Sequence, residues 1–193
     1  MAIEYYDKGI TSYATMVKPD SARGYWLFNN NAFCHDYERL FLEAQKLAEK
    51  AISLDRERHN AWKNRGVSLE HQGNYVEAAA SYLASYIKCG GGDDPRPIMH
   101  LKRIFRRHDG LRDDLAGQAK KVIGGIFSGS FRAFCLAETY YHCGHLDKAA
   151  REYKRFYAIA PCGYAPHLKY INTILKELEE LKKLEAQFVH GQR

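Results

Sequence analysis

The fold is decided by residues 62–85, which read WKNRGVSLEHQGNYVEAAASYLAS. Small residues stand at Gly66 and Ala78, where two packed helices must approach closely. The bulky Trp62 and Tyr82 stand where the same two helices interlock. Because apolar residues recur here with helical spacing on both sides of a glycine turn, the stretch predicts an antiparallel helical hairpin.

The same residue types recur downstream, which indicates an internal repeat. The downstream positions are Ala137, Ala149, Tyr153 and Pro161. Upstream, Phe28 precedes Trp62 by 34 residues and Ala44 precedes Ala78 by the same interval, a period typical of one class of helical repeat. One hairpin cannot bury both of its apolar sides, so we expect the hairpins to stack on one another.

These residues resemble the tetratricopeptide repeat family, whose pattern is W-x2-L-G-x2-Y, then A-x3-F and P. The match is most specific at 59–90, where Trp62, Gly66, Ala78 and Tyr82 stand at family spacing. The resemblance implies an all-α fold. It would be a right-handed superhelix of stacked antiparallel helix hairpins, a tetratricopeptide-like α-solenoid, with a long C-terminal capping helix.

We expect residues 1–193 to form a single repeat domain. Its predicted segments are an N-terminal helix at 1–20, a degenerate repeat at 21–56, a repeat at 59–90, a degenerate basic repeat at 95–128, a repeat at 130–161 and a capping helix at 166–189. The apolar stripe of the first helix is expected to run through Met16 and Val17. Caps are predicted at Asp20, Asn60 and Asp94, with Pro95 opening the helix after Asp94.

Positive charge is concentrated in the third predicted repeat. The formal net charge is +6, and the segment 96–132 holds nine Lys and Arg against three Asp, which accounts for the whole excess. Aligning the turn glycines would bury Lys102, Arg103 and Arg106, and burying unpaired charges is costly. We therefore expect the apolar stripe of Ile98, Leu101 and Phe105 to face the core instead.

The family resemblance also implies which side chains line the concave groove. The predicted partner contacts are Trp26, Lys63, Asn64, Arg96, His100, Arg103, Arg106, Arg107, Phe131, Phe134 and Tyr141. Such a groove has a basic middle flanked by aromatic surface. It predicts a non-enzymatic adaptor or scaffold that binds an acidic peptide or helix. One subfamily grips a carboxylate with two Lys/Arg–Asn pairs, but Asn29 and Phe33 replace its first pair here.

Three other interpretations stay open. The basic segment 96–132 could belong to a nucleic-acid-associated accessory protein, because Lys and Arg gather phosphates. It could equally be a solvated helix face, since long cationic side chains reach water readily. The stripe of the capping helix, Leu168, Ile171, Leu175, Leu178 and Leu181, could form a homodimer seam.

Several function classes are not indicated. No phosphate-cradling glycine loop, nucleophile elbow or paired-histidine metalloprotease motif is present, so we predict no enzyme. Cys135, His142, Cys143 and His145 lack the tight paired spacing of structural zinc, so no metal or cofactor is predicted. No apolar run reaches the roughly 18 residues of a membrane helix. Five scattered cysteines and a start without a signal-peptide pattern predict a cytoplasmic protein.

Overall fold

The computed structural model describes residues 2–89, 94, 96–108, 110–126, 129–160 and 165–191. Within these ranges all regular secondary structure is helical. The helices are α1 (Ala2–Ala14), α2 (Ser21–Tyr37), α3 (Phe41–Leu54), α4 (His59–His71), α5 (Tyr75–Lys88), α6 (Arg96–Arg107), α7 (Leu111–Ile126), α8 (Gly129–His142), α9 (Leu146–Ile159) and α10 (Ala165–Gly191). The all-α class and the helical hairpins predicted from the sequence are confirmed.

The α4–α5 hairpin owes its close packing to one glycine. Gly66 lies so near the Tyr82 ring that a Cβ would stand only 2.7 Å from the ring carbon Cε1. Trp62 and Ala78 are buried in the same hairpin. At the turn, Gly73 adopts a φ of 82°, which side chains with a Cβ disfavour. The signature residues therefore serve the packing that their size predicts.

Two of the three predicted helix caps are present. The Oδ1 atom of Asp20 accepts a hydrogen bond of 2.9 Å from the backbone N–H of Ala22 at the start of α2. Asp94 accepts an equivalent bond of 3.0 Å at the start of α6. The predicted cap at Asn60 is wrong, because α4 already begins at His59 and no side chain caps it. The predicted Pro95 lies outside the described residues.

The first helix packs along one side of α2. The Tyr13 ring covers Gly24, where a Cβ would stand 2.5 Å from the phenol, and it meets the Phe28 ring edge-on. Nearer the start of α1, the amide of Asn31 donates a 2.8 Å hydrogen bond to the Asp7 carboxylate. These contacts fix α1 against α2 by both packing and polar pairing.

The end of the first helix differs from the prediction. The helix stops at Ala14, so Met16 and Val17 do not extend its apolar stripe, and Val17 is 97% exposed. Pro19 disfavours helical backbone in the residue before it, and Asp20 then caps α2. The chain leaves the helix early because the next helix start requires extended backbone.

The register of α6 follows its apolar stripe rather than the turn glycines. Leu101 and Phe105 are buried, whereas Lys102, Arg103 and Arg106 are exposed. This confirms the expectation that unpaired charges stay out of the core. Helix α7 buries its own apolar positions, which include Leu115, Ala116, Ala119 and Ile123.

The chain divides into two compact units, Met1–Leu115 and Ala116–Arg193, here called unit 1 and unit 2. Unit 2 holds the second signature hairpin, in which Ala137, Ala149 and Tyr153 are all fully buried. The predicted Pro161 lies outside its described residues. Helix α10 packs on α9 and buries Ile171, Ile174 and Leu178, while Leu181 and Leu184 are exposed. The first half of α10 thus covers the end of the α8–α9 hairpin. The prediction that both units belong to one domain stays a prediction.

Candidate partner-binding face of unit 1

Helix α2 leaves one face open between its neighbours. It packs against α1 through Gly24, against α3, and against α4 through Asn29. The remaining positions recur at intervals of three or four residues and so share one face. They are Trp26, Asn30, Phe33 and Tyr37, of which the three aromatic side chains are 43%, 60% and 80% exposed.

Helix α4 continues this face with smaller side chains. Trp62, Gly66 and Leu69 turn toward α5, and the opposite side of the helix holds Asn60, Val67 and His71. Asn64 is not part of the surface, although the sequence predicts it as a partner contact. Its side chain is 5% exposed, and its amide donates to both the backbone oxygen and the side-chain oxygen of Asn29. Asn64 therefore joins α4 to α2.

The same pair of asparagines argues against the carboxylate-gripping arrangement. The Asn64 amide is 3.1 Å from the side-chain oxygen of Asn29, so it is already bound within the protein. A second bond joins the two helices where the Ser68 hydroxyl donates to Asp36 at 2.7 Å. Burial raises the pKa of Asp36 to about 6, although the Ser68 hydroxyl opposes that rise. The α2–α4 junction is thus held by polar groups taken out of water.

Helix α6 completes the face with cations. Its sequence, RPIMHLKRIFRR, contains no acidic residue. The side opposite its buried stripe carries Met99, Arg103 and Arg106, with Lys102 and Arg107 exposed beside them. The exposed Met99 was not predicted as a contact, although it stands three residues after Arg96 on the open side. The surface formed by these side chains of α2, α4 and α6 is called the open face below.

One of the predicted contact arginines has an internal partner. The Arg103 guanidinium donates to both carboxylate oxygens of Glu70 on α4, at distances down to 2.7 Å. The Tyr82 hydroxyl donates to the same carboxylate at 2.8 Å, and His100 stacks on the Tyr82 ring with the ring centroids 4.8 Å apart. Arg103 and His100 therefore lock α6 to the α4–α5 hairpin before any partner arrives.

Glu70 is the functional residue that the sequence reasoning missed. Burial alone would raise its pKa, but hydrogen bonds from His100, Arg103 and Tyr82 hold that pKa down to about 2. The signal available in the sequence was a glutamate directly before His71. It is followed downstream by α6, a helix whose charged residues are all basic. It means that the open face is less basic than its count of arginines suggests.

The other end of α6 is also partly neutralised. The Arg96 guanidinium donates to both oxygens of Asp94, at 2.7 and 2.9 Å. Lys63 lies close enough that burial first, and then the Arg96 charge, lower the pKa of its ammonium group. Arg106, Arg107 and Lys102 differ from these, because the described part of the chain offers them no ion pair. They are the uncompensated cations of α6.

The remaining predicted contacts lie in unit 2. Phe134 is 5% exposed and packs on Phe156, with ring centroids 5.3 Å apart, so the prediction of a surface contact at Phe134 is wrong. The Phe134 ring also lies next to the Tyr153 ring, and this large aromatic side chain fills the interior space beside it. Phe131 and Tyr141 are half-buried. Their membership in a groove shared with unit 1 stays a prediction.

No group of three His, Cys, Asp or Glu side chains within the described residues is placed to hold a metal ion. In the same ranges, every helix is either too short or too polar to cross a bilayer.

Successive antiparallel hairpins whose first helices share an open face define a helical repeat protein. The comparison with protein families agrees, because the profile described as "Tetratricopeptide repeat" matches residues 36–94, from the end of α2 through α5. Residues 36–94 therefore form a tetratricopeptide repeat region. Repeats of this family generally mediate protein–protein interaction and are typically non-enzymatic. No curated protein matched the chain.

Proposed function

We propose that unit 1 is an adaptor module that binds an acidic peptide or helix of a partner protein on the open face. The observation that carries the proposal is the set of uncompensated cations on α6, Lys102, Arg106 and Arg107. No acidic side chain is present on that helix to neutralise them. An acidic partner segment would supply the missing carboxylates.

Arg106 and Arg107 are the side chains assigned to partner binding. Arg103 is a positioning residue, since its guanidinium is already bound to Glu70. Exposed ion pairs contribute modestly, about 0.2–1 kcal/mol each, so affinity must come from several contacts together. This is why the proposed binding depends on the whole face rather than on one arginine.

The test is a peptide-display selection against the full chain, followed by affinity measurements on the selected peptides. Enrichment of Asp and Glu is expected. The variant Arg106→Glu/Arg107→Glu should weaken binding at least about tenfold, because attraction becomes repulsion. Arg103 is left intact, since a glutamate there would face Glu70 and disturb the fold.

The matched control is Lys120→Glu/Lys121→Glu. It makes the same charge change in the same basic segment, at two exposed positions on α7. Selected peptides should bind this control as they bind the natural sequence. Enrichment of non-acidic peptides, or unchanged affinity after the Arg106/Arg107 reversal, would refute the proposal.

Nucleic acid is the competing partner, because exposed cations of the 96–132 segment also lie on α7. A single-stranded RNA of about 20 nucleotides, titrated at two salt concentrations, separates the two. Tight binding with a steep salt dependence that both charge reversals weaken equally would replace the protein partner with RNA. We expect weak RNA binding that responds only to the screening of charges by salt.

A further inference from the structure

We infer that the bound segment is an amphipathic α-helix whose apolar edge docks on the aromatic stripe of α2 and whose acidic edge meets α6. The inference rests on the proposed function and adds to it the shape and the second chemistry of the partner. The aromatic stripe is the set Trp26, Phe33 and Tyr37, together with Leu40 just beyond the helix.

The aromatic stripe is unusual for a water-facing surface. All four side chains are at least 43% exposed, and Phe33, Tyr37 and Leu40 follow one another within two turns. Trp26 lies two turns before Phe33, with the Arg58 guanidinium 5.1 Å from its ring centroid. Single exposed apolar residues are common, but a contiguous apolar patch marks an interaction site. Aromatic side chains are also the residues that most often anchor partners. The stripe therefore has the composition of an anchoring surface.

A cleft at one end of the stripe offers room for an anchor. It measures about 760 Å³ and is lined mainly by apolar surface from Ala2, Ile3, Phe33, Cys34, Tyr37, Glu38 and Leu40. This size falls within the usual range for clefts that hold compact ligands, so one or two large apolar side chains fit. Glu38 on its wall would repel an acidic group, which separates the apolar anchor from the acidic edge of the partner.

The chain's own first helix does not cover the stripe. Helix α1 uses Tyr13 and Asp7 to pack on Gly24, Phe28 and Asn31, which lie on another side of α2. Only its first turn, Ala2 and Ile3, reaches the cleft, where it forms part of the wall. The aromatic stripe is thus open to a partner while α1 is in place.

The spacing of the helices favours a helical partner. Adjacent packed helices lie about 8–10 Å apart, so the stripe on α2 and the cations on α6 are separated by roughly two such intervals, with α4 between them. An extended peptide lying along one helix would contact either the aromatic stripe or the cations, but not both. A helix is about 10–12 Å wide with its side chains, so one lying over α4 reaches both edges. Between the two edges, the partner helix would lie on the α4 side chains Asn60, Val67 and His71.

Charge complementarity fixes the sides of the partner. Arg106 and Arg107 stand on the α6 edge without an acidic partner in the described residues, whereas Glu38 stands on the α2 edge. An amphipathic helix with leucines or aromatics on one edge and glutamates on the other satisfies both edges at once. An acidic segment without an apolar edge would leave the aromatic stripe in water.

The experiment uses two synthetic peptides of identical composition, each about 18 residues long, or five helical turns. One peptide places leucines on one face and glutamates on the other, and the second scrambles the same residues so that no apolar edge forms. Binding of each to the full chain is measured by fluorescence anisotropy. The amphipathic isomer is expected to bind at least about tenfold more tightly.

Three double variants identify the surfaces involved. Phe33→Ser/Tyr37→Ser should remove the preference for the amphipathic isomer, and Arg106→Glu/Arg107→Glu should weaken both isomers. Tyr157→Ser/Ile159→Ser is the matched control, since it replaces two side chains of α9 that are exposed to a similar degree. It should change nothing. Circular dichroism checks that each variant folds, which exposed positions favour.

The outcomes separate this inference from the function beneath it. Equal binding of both isomers, with loss only after the arginine reversal, would leave an acidic-segment adaptor and overturn the helix. Insensitivity of binding to the arginine reversal would overturn the proposed function itself. Failure of both isomers to bind at about 1 mM overturns the inference. Sedimentation that changes from dimer to monomer on Phe33→Ser/Tyr37→Ser would assign the stripe to a second copy of the chain and also overturn it.

Discussion

The two signature hairpins use the same tyrosine–glutamate hydrogen bond in different surroundings. In unit 1 the Tyr82 hydroxyl donates to Glu70 at 2.8 Å, and in unit 2 the Tyr153 hydroxyl donates to Glu138 at 2.5 Å. Tyr153 follows Tyr82 by 71 residues, so the tyrosines correspond. The glutamates do not correspond, because the position equivalent to Glu70 is Tyr141.

The difference lies in what neutralises each carboxylate. Glu70 is 14% exposed and is bound by Arg103 from the next hairpin, whereas Glu138 is fully buried, with His142 of its own helix 3.6 Å away. In unit 1 the glutamate joins one hairpin to the next. In unit 2 it strengthens a single hairpin. The comparison teaches that the carboxylate bound to a signature tyrosine can either join neighbouring hairpins or stay within one.

The largest difference between the hairpins is expected at the small signature position, which is Gly66 in one and Ala137 in the other. Gly66→Ala should lower the free energy of unfolding by about 2–3 kcal/mol, because its Cβ would press on a Tyr82 ring that is fully buried and cannot withdraw. The reverse change, Ala137→Gly, should cost only about 1 kcal/mol, the ordinary loss of helix propensity.

Urea unfolding followed by circular dichroism measures both variants. Similar losses for the two would mean that the Gly66–Tyr82 contact relaxes easily, and the packing account of the first hairpin would then be wrong.

Removing the tyrosine hydroxyls tests the neutralisation of the two glutamates. Tyr153→Phe should cost about 2 kcal/mol, because it takes a hydrogen bond from a fully buried carboxylate. Tyr82→Phe should cost about 1 kcal/mol, since Glu70 keeps its bonds from Arg103. Both losses are read from urea unfolding. A larger loss for Tyr82→Phe would reverse the comparison and show that the unit 1 carboxylate depends mainly on its tyrosine.

The smallest effects concern pH, where the two junctions of unit 1 should respond in opposite directions. The folded pKa of Glu70, about 2, lies below its ordinary value of 4.5. Its contribution to stability is therefore complete above pH 4.5 and lost as the pH falls toward 2. The folded pKa of Asp36, about 6, lies above its ordinary value of 3.8, so its ionisation costs stability as the pH rises from 3.8 through 6.

Two amide variants measure these contributions. Glu70→Gln should lower stability at pH 7 by about 1 kcal/mol and make little difference near pH 2, and Asp36→Asn should raise stability at pH 7 by about 1 kcal/mol with no gain below pH 4. Denaturant midpoints across that pH range give the values. A loss of stability for Asp36→Asn at pH 7 would show that the Ser68 bond outweighs the cost of burial.

Much of the fold could be predicted because its signals are local. Helical spacing located the hairpins, Asp20 and Asp94 gave two caps, and the cost of burying Arg103 and Arg106 chose the correct register for α6. The errors occurred where local signals competed. Asn60 resembles a cap but follows the helix start, and Val17 continues an apolar period that the cap of α2 interrupts.

The candidate face could be predicted only in outline. Family spacing placed Trp26, Arg106 and Arg107 on open helix surface, but it did the same for the buried Asn64 and Phe134. It also left out Glu70, whose partner Arg103 is 33 residues away. A periodic pattern says which side of a helix is free of its own hairpin, but not what the next hairpin brings to that side.

By itself the sequence determined an array of helical hairpins and the helix that carries its positive charge, because apolar periodicity and the cost of burying charge act within a few turns of one helix. Only the tertiary structure decided which polar groups pair across hairpins. These pairs are Glu70 with Arg103 and Asn64 with Asn29. These pairs form between residues more than thirty positions apart. Their geometry exists only after the hairpins have stacked, and it determines which cations remain for a partner.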